Sequence, residues 1–401
     1  MRIFISVVTI RDIGGISTSV INLLNEIKDK YNVTLCVPSN DISPNIVLPS
    51  GIQIKEGPHF FRDCFAVRKN LLNQSIWEKT IRTTRRIFKR LVGLEKTAQY
   101  ASRGFHIDED YDVAIAFYND TFDKNGKMIV TGDYNFVLQC VKAKRKIAWI
   151  HNDPAKCGFS YTISKKIFSH YDAIVNVSSE CKRLFDKIIP DYISKSYVVY
   201  NMFDINEIKK MSRQYDNPYK NGDKLHFVTV ARLNEEQKKI SRVLEACLKL
   251  KEDGYTNYDW TIVGEGNDKK DYLKYVNSNK LDEFVSLVGL KSNPYPYMLY
   301  ADAFVLTSLY EGYPMTVKEA QILTCPTLVT NFGSAKESII DECEGLIYDN
   351  SSDGVYRMMR RILETPAELR NFKDYLESNP VTNEKALSQF DNVCKGLPIY
   401  E

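Results

Sequence analysis

Short apolar runs alternate along this chain with longer segments whose apolar positions recur every three or four residues. In the first half the runs predict strands at Ile3 to Ile10, Val33 to Val37, Tyr111 to Phe117, Lys146 to His151, Ala173 to Ser178 and Tyr197 to Asn201. In the second half they fall at Leu225 to Val230, from Trp260, at Val285 to Leu290, Ala303 to Leu306, Pro326 to Thr330 and Gly345 to Tyr348. Between them lie helical faces such as Val20, Leu23, Leu24 and Ile27, or Val243, Leu244, Ala246, Cys247 and Leu250. Strand and helix alternate twice over, which predicts an α/β protein made of two doubly wound, Rossmann-like parallel sheets. The expected domains are 1–200 and 201–380. A last helix in 381–401, with Ala386, Leu387, Phe390 and Cys394 on one face, is expected to cross back onto the first domain.

Length agrees with that division, because 401 residues exceed one ordinary hydrophobic core. A net charge of +3 gives no reason to expect a nucleic-acid partner. Nine cysteines are scattered without Cys-x-x-Cys spacing, and no histidines pair at metal-ligand spacing, so reduced thiols and no metal site are expected. The opening Met1 to Val8 ends at Arg11-Asp12 without a small-residue cleavage site and reads as a first strand. No apolar run is long enough to span a bilayer. These features point to a cytoplasmic protein.

One segment breaks the pattern. Between 76 and 96, Trp77, Ile81, Thr84, Phe88, Leu91 and Val92 share one helical face, and Arg82, Arg85, Arg86, Lys89 and Lys96 the other. Such a helix either lies on an anionic membrane surface or packs its apolar face on its own domain with the charges in water.

Candidate chemistry gathers where predicted strands end. After Ala303 to Leu306 the chain turns through Glu311-Gly312-Tyr313-Pro314 into a helix beginning near Met315-Thr316, with Pro314 suited to its first position. Free amides at such a start suit an anion. Glu311 and Glu319 bracket the turn, and a carboxylate there addresses neutral hydroxyls, since it would repel a phosphate. Arg232 and Lys238 follow the first strand of the second half, and two cations there can neutralise a diphosphate. His151 ends a strand in the first half, and Gly14-Gly15 opens its first helix. Asp110-Tyr111-Asp112 has the form of an Asp-x-Asp metal motif, but it precedes a strand and reads as strand-edge polar residues.

Singly these signals are weak. Their order and spacing across nearly the whole chain, strongest from Val228 to Gly345, resemble the retaining glycosyltransferases of family 4, which have the GT-B fold. The resemblance implies two domains facing across a cleft that holds a nucleotide-diphospho-sugar. Arg232, Lys238 and amides near Gly14, Gly15, Gly312, Met315 and Thr316 would hold the diphosphate without a metal. The backbone at Leu290 would hold the base, Glu319 the ribose, and Glu311 and His151 the sugar. Lys238 is preferred to Lys239, which stands where the family often has Gly. The family also has Gly near Thr324, so that corner is expected to differ. A uridine diphosphate donor and front-face attack come from the family. The acceptor would be a glycan or a lipid-linked glycan in surface polysaccharide synthesis, reached from the inner face of the membrane. A nucleotide-sugar epimerase or hydrolase and a non-catalytic nucleotide-sugar binder are the alternatives.

Overall fold

A computed structural model describes residues 1–11, 14–65, 75–219 and 222–398. Asp12 and Ile13 of the expected glycine turn lie outside the described residues, as do 66–74 and 220–221. The chain forms two compact units, Met1–Phe203 with Asn383–Glu401, and Asp204–Thr382.

The first unit is built on a seven-stranded parallel sheet of β1 (Arg2–Ser6), β2 (Asn32–Val37), β3 (Gln53–Glu56), β4 (Ile107–Ala116), β5 (Val141–Ile150), β6 (Ala173–Asn176) and β7 (Ser196–Val198). Its spatial order is β7-β6-β5-β4-β1-β2-β3, so the chain reverses its winding between β1 and β4. The strand β3, Gln-Ile-Lys-Glu, was invisible to the apolar pattern because it is an exposed edge strand. The expected strand from Ile3 to Ile10 ends early, at Ser6. Beyond it, Thr9–Ile10 pairs separately with Asp41–Ile42, and the Thr9 hydroxyl donates to the Asp41 carbonyl at 3.0 Å. Asp110 and Asp112 lie within β4 and form cross-strand ion pairs with Lys142 and Lys144, at 3.0 and 2.7 Å.

Four helices of this unit matter below: α1 (Gly15–Ile27), α2 (His59–Phe65), α3 (Ile76–Val92) and α4 (Leu94–Ser102). The helix expected over 76–96 is in fact α3 and the start of α4. It breaks at Gly93, whose φ of 88° belongs to the left-handed region that favours glycine. Its orientation also departs from both expectations. Arg82 is buried, Arg85 pairs with Asp63 of α2, and Lys89 donates to the Cys64 carbonyl at 2.6 Å, whereas Ile76, Trp77 and Leu91 are exposed.

The second unit holds a six-stranded parallel sheet of β8 (Leu225–Val230), β9 (Tyr258–Val263), β10 (Val285–Gly289), β11 (Ala303–Leu306), β12 (Thr327–Thr330) and β13 (Gly345–Tyr348). The order β10-β9-β8-β11-β12-β13 places the reversal between β8 and β11, the crevice where α/β sheets take ligands. The strands are apolar on both faces, and α6 (Ser241–Glu252) buries Val243, Leu244, Cys247 and Leu250 against Trp260 and Ile262. Ahead of it stands the single turn α5 (Glu235–Lys238), and α7 (Met315–Ile322) follows β11.

The last helix, α8 (Glu384–Lys395), belongs to the first unit. Phe390 packs on Trp149 and Tyr31, the Tyr31 hydroxyl donates to Asp391, and Arg145 donates to the Val393 carbonyl at 2.9 Å. Asn383 ties both backbone groups of Phe203, its Oδ1 accepting at 3.0 Å and its Nδ2 donating at 2.7 Å. Among the described residues no helix is long and apolar enough to cross a membrane.

Candidate active site

In the second unit the loops that follow β8 and β11 are neighbours because their strands are. The hydroxyl of Thr307 donates to the Lys238 carbonyl at 3.0 Å, and the amide of Leu309 donates to the Gln237 carbonyl at 2.7 Å. This tie brings Lys238 onto Glu311, with Nζ 2.5 Å from Oε1 and both side chains largely buried. Ser308 donates to the same carboxylate oxygen at 2.6 Å, and Gln237 to the other at 3.4 Å. A carboxylate with three donors is held in one rotamer, and it holds the lysine in turn.

Lys239 is directed elsewhere, to Glu235 at 3.6 Å, and its backbone is left-handed with φ 51°. That conformation is the one glycine adopts most cheaply, so the physical reason for a glycine at this position is visible here. Arg232 is exposed at the end of β8, with no carboxylate within ion-pair distance among the described residues. Its loop is set by close backbone packing. A Cβ on Gly264 would meet the Ala231 carbonyl oxygen at 1.9 Å, and one on Gly266 the Leu233 oxygen at 2.0 Å.

After the Glu311 turn, Pro314 is the N-cap rather than the first helical residue. Its ψ of 87° is not helical, so α7 begins at Met315. Met315 and Thr316 therefore occupy the first turn, where N–H groups precede the intrahelical ladder. One helical turn on, Glu319 is buried, and burial raises its pKa to about 7. Thr324 closes this helix with φ 58°, its amide donating to the Gln321 carbonyl at 2.9 Å and the Cys325 amide to the Ala320 carbonyl at 3.0 Å. The corner expected to differ for want of glycine thus keeps the left-handed cap, because two closing hydrogen bonds offset the strain. Leu290 follows Gly289 at the end of β10 and is partly exposed.

In the first unit, Gly14 (φ 155°) caps α1, and a Cβ on Gly15 would meet nothing within 4 Å, so the backbone there is open to a ligand. His151 follows β5. It is buried among Phe117 and Trp149, its backbone amide donates to Asn119 Oδ1 at 3.3 Å, and its ring is engaged by the Phe117 backbone. Burial lowers its pKa to about 3, so the imidazole is neutral, and Nε2 has no protein partner.

Residues 212–378 match the family model of glycosyl transferases group 1. The chain is a glycosyltransferase. It is 25% identical over 288 residues to an uncharacterized glycosyltransferase of Methanocaldococcus jannaschii, a match covering 69% of each chain. It is 27% identical over 182 residues to the N-acetylgalactosamine-N,N'-diacetylbacillosaminyl-diphospho-undecaprenol 4-alpha-N-acetylgalactosaminyltransferase of Campylobacter jejuni, covering 45% of this chain and about half, 47%, of that one. Among solved structures, a TarM mutant of S. aureus in complex with fondaparinux, alpha-GlcNAc-glycerol and UDP superposes with a TM-score of 0.67. That match has 13% identity and covers 98% of this chain and 99% of the other. The glycosyltransferase has the GT-B fold.

Several supporting residues of the transferase escaped the sequence reading. Gln237 and Ser308 hold Glu311, Ser334 donates to the Glu311 carbonyl at 3.3 Å, and Asn119 holds the backbone of His151. None carries a distinctive spacing, and only Ser308, three residues before Glu311, had a local signal.

Proposed function

We propose that the protein transfers a hexosyl group, with retention and without a metal, from a uridine diphosphate sugar to a glycan or lipid-linked glycan acceptor in polysaccharide biosynthesis. The observation that carries this reading is the Lys238–Glu311 pair at the β8–β11 crevice, beside an uncommitted Arg232 and the first-turn amides of Met315 and Thr316. UDP in the TarM complex and the lipid-diphosphate acceptor named for the Campylobacter relative support the donor and acceptor classes.

In this mechanism Arg232, Lys238 and the amides at Gly15, Gly312, Met315 and Thr316 receive the diphosphate. The base lies against the backbone at Leu290. As the bond between the anomeric carbon and the phosphate oxygen breaks, negative charge builds on that oxygen, and donors already fixed in place stabilise it. The acceptor oxygen bonds to the anomeric carbon on the face the phosphate leaves, and its proton passes to the departing phosphate. Glu319 accepts from ribose hydroxyls, which replace the water its carboxylate lost on burial. Glu311 faces the sugar and fixes Lys238. His151, neutral, offers its Nε2 lone pair to a sugar hydroxyl.

Glu311→Ala separates binding from turnover. The expected outcome is donor affinity within about threefold of wild type and transfer reduced by at least 10²-fold, comparable to losing a transition-state donor. Equal loss of both would reduce Glu311 to a binding group. Unreduced transfer would remove it from the site. A metal-free thermal-shift panel of uridine, guanosine and adenosine diphospho-sugars tests the donor, and wild-type turnover without an acceptor would favour hydrolysis.

A further inference from the structure

A cavity of about 110 Å³ lies in the first unit among α4, the helices Tyr134–Cys140 and Tyr161–Phe168, and the antiparallel pair of Thr121–Phe122 with Met128–Val130. The transfer chemistry above makes no use of it. Met128, Leu138, Ile163 and Ile167 supply apolar wall, and Phe122 and Tyr134 add two aromatic rings. Asp120 stands on the same wall, only 2% exposed. Glu95 and Lys166, the more exposed charged residues around the cavity, form an ion pair at its rim.

The Asp120 carboxylate is fixed but half unused. Its Oδ1 accepts from the Gly132 amide, and Gly132 is packed so closely that a Cβ there would meet the Tyr118 carbonyl oxygen at 2.1 Å. Its Oδ2 is buried and accepts from no group among the described residues. The donors around it are spent on other acceptors. The Tyr134 hydroxyl donates to the Trp149 carbonyl at 2.8 Å, the Tyr171 hydroxyl to the Tyr134 carbonyl at 2.8 Å, and Asn119 Nδ2 to the Asp120 carbonyl at 3.1 Å. Lys166 is held by Glu95. A buried carboxylate left without a donor or counter-charge is costly, and a ligand that supplies both relieves the cost.

We infer that this cavity binds a short alkylammonium, with the ammonium on Asp120 Oδ2 and the alkyl chain along the apolar wall. Charge selects a monocation, because Glu95 and Lys166 cancel and Asp120 remains. The rings of Phe122 and Tyr134 favour a cation over a neutral group. A metal ion does not fit. Hard cations take about six oxygens, whereas this wall is mostly carbon, and among the described residues no three His, Cys, Asp or Glu side chains cluster to hold one. Size limits the ligand to about five non-hydrogen atoms, since a cavity of about 150 Å³ admits benzene. The inference stands without the donor chemistry proposed above, because amine binding is measured with no nucleotide or acceptor present.

The test is a ligand-observed NMR titration of the full chain with n-butylammonium chloride, and with 1-butanol as the neutral isostere, at constant ionic strength. At pH 8 the amine is expected to bind at least tenfold more tightly than the alcohol. The titratable groups that Asp120 interacts with are Glu95, Asp133, Tyr134 and Tyr171. Burial raises the Asp120 pKa to about 7, so its ionised share, and with it the amine affinity, is expected to rise about tenfold from pH 6 to pH 8. Ionisation of Asp133 over that range acts in the same direction, and an alkylamine stays protonated throughout. Asp120→Asn, which keeps the shape, is expected to lose at least tenfold in amine affinity and the pH dependence. Lys166→Gln, on the exposed rim where folding is not at risk, is expected to tighten amine binding about threefold by releasing Glu95. Absence of wild-type amine binding, equal binding of the alcohol, or affinity unchanged between pH 6 and pH 8 would each overturn the inference. So would full amine affinity in Asp120→Asn or weaker binding in Lys166→Gln.

Discussion

Glu319 shows at the level of a single residue how burying a carboxyl costs stability. Its carboxyl is buried and its pKa is raised to about 7 from an ordinary 4.5, with desolvation as the cause. Asp120 and Asp133 of the first unit are in the same condition, raised by burial to about 7 and about 8. For each, the folded state binds the proton more tightly than the unfolded one. Stability is therefore greatest below the unfolded pKa and falls as pH rises through the folded value. The expected loss runs from about pH 4 to pH 8 and is measurable by thermal melts across that range. Glu319→Gln should shrink it and raise stability at pH 8 by on the order of 1 kcal/mol. It should also weaken the donor, because an amide meets ribose hydroxyls without the charge. A variant that gained stability and kept full donor affinity would take Glu319 out of the ribose site. His151 works in the opposite direction. Its depressed pKa makes stability fall as pH drops from about 6.5 towards about 3, which opposes the three carboxyls over part of the same range.

Among elements, the turns around α7 show which departures from pattern matter. The residues of the Glu311 turn and helix were legible in sequence because proline, glycine and a helical apolar period occur in order. The cap at Thr324 was misjudged, since propensity disfavours a β-branched residue at φ 58° and only the closing hydrogen bonds show why it is tolerated. Thr324→Gly should raise stability by about 0.5 kcal/mol, the relief of left-handed strain less the entropy glycine loses on folding. Chemical denaturation would show it as a higher midpoint at unchanged slope. A lower midpoint would mean that the threonine makes contacts worth more than its strain. In α3 the periodicity correctly marked an amphipathic helix, but amphipathicity does not say which face turns inward. Asp63, the Cys64 carbonyl and the rings of Phe60 and Phe65 decided that, and all of them lie on another element.

Taken as a whole, the molecule has its last helix in its first unit. The α8 side chains Phe390, Val393 and Cys394 are buried there, and Asn383 anchors its start to Phe203. A chain ending at Thr382 should destabilise the first unit by on the order of 4–6 kcal/mol, the burial of two or three large side chains, and leave the second unchanged. Calorimetry should then show one transition moved down and one in place; a common shift of both would mean that the two units unfold together. The sequence by itself determined the alternation of strands and helices, hence two doubly wound sheets, and it placed His151, Arg232, Lys238 and Glu311 at strand ends or turns and Glu319 in the helix after the last of these. Those are local properties, written in apolar period and turn chemistry. The tertiary structure decided which side chains meet: Lys238 and not Lys239 on Glu311, and the cations of α3 inward with its apolar face outward. The reason is that partners such as Lys238 and Glu311 stand on the segments that follow two different strands of a parallel sheet, and their meeting is set by strand order, which no local period records.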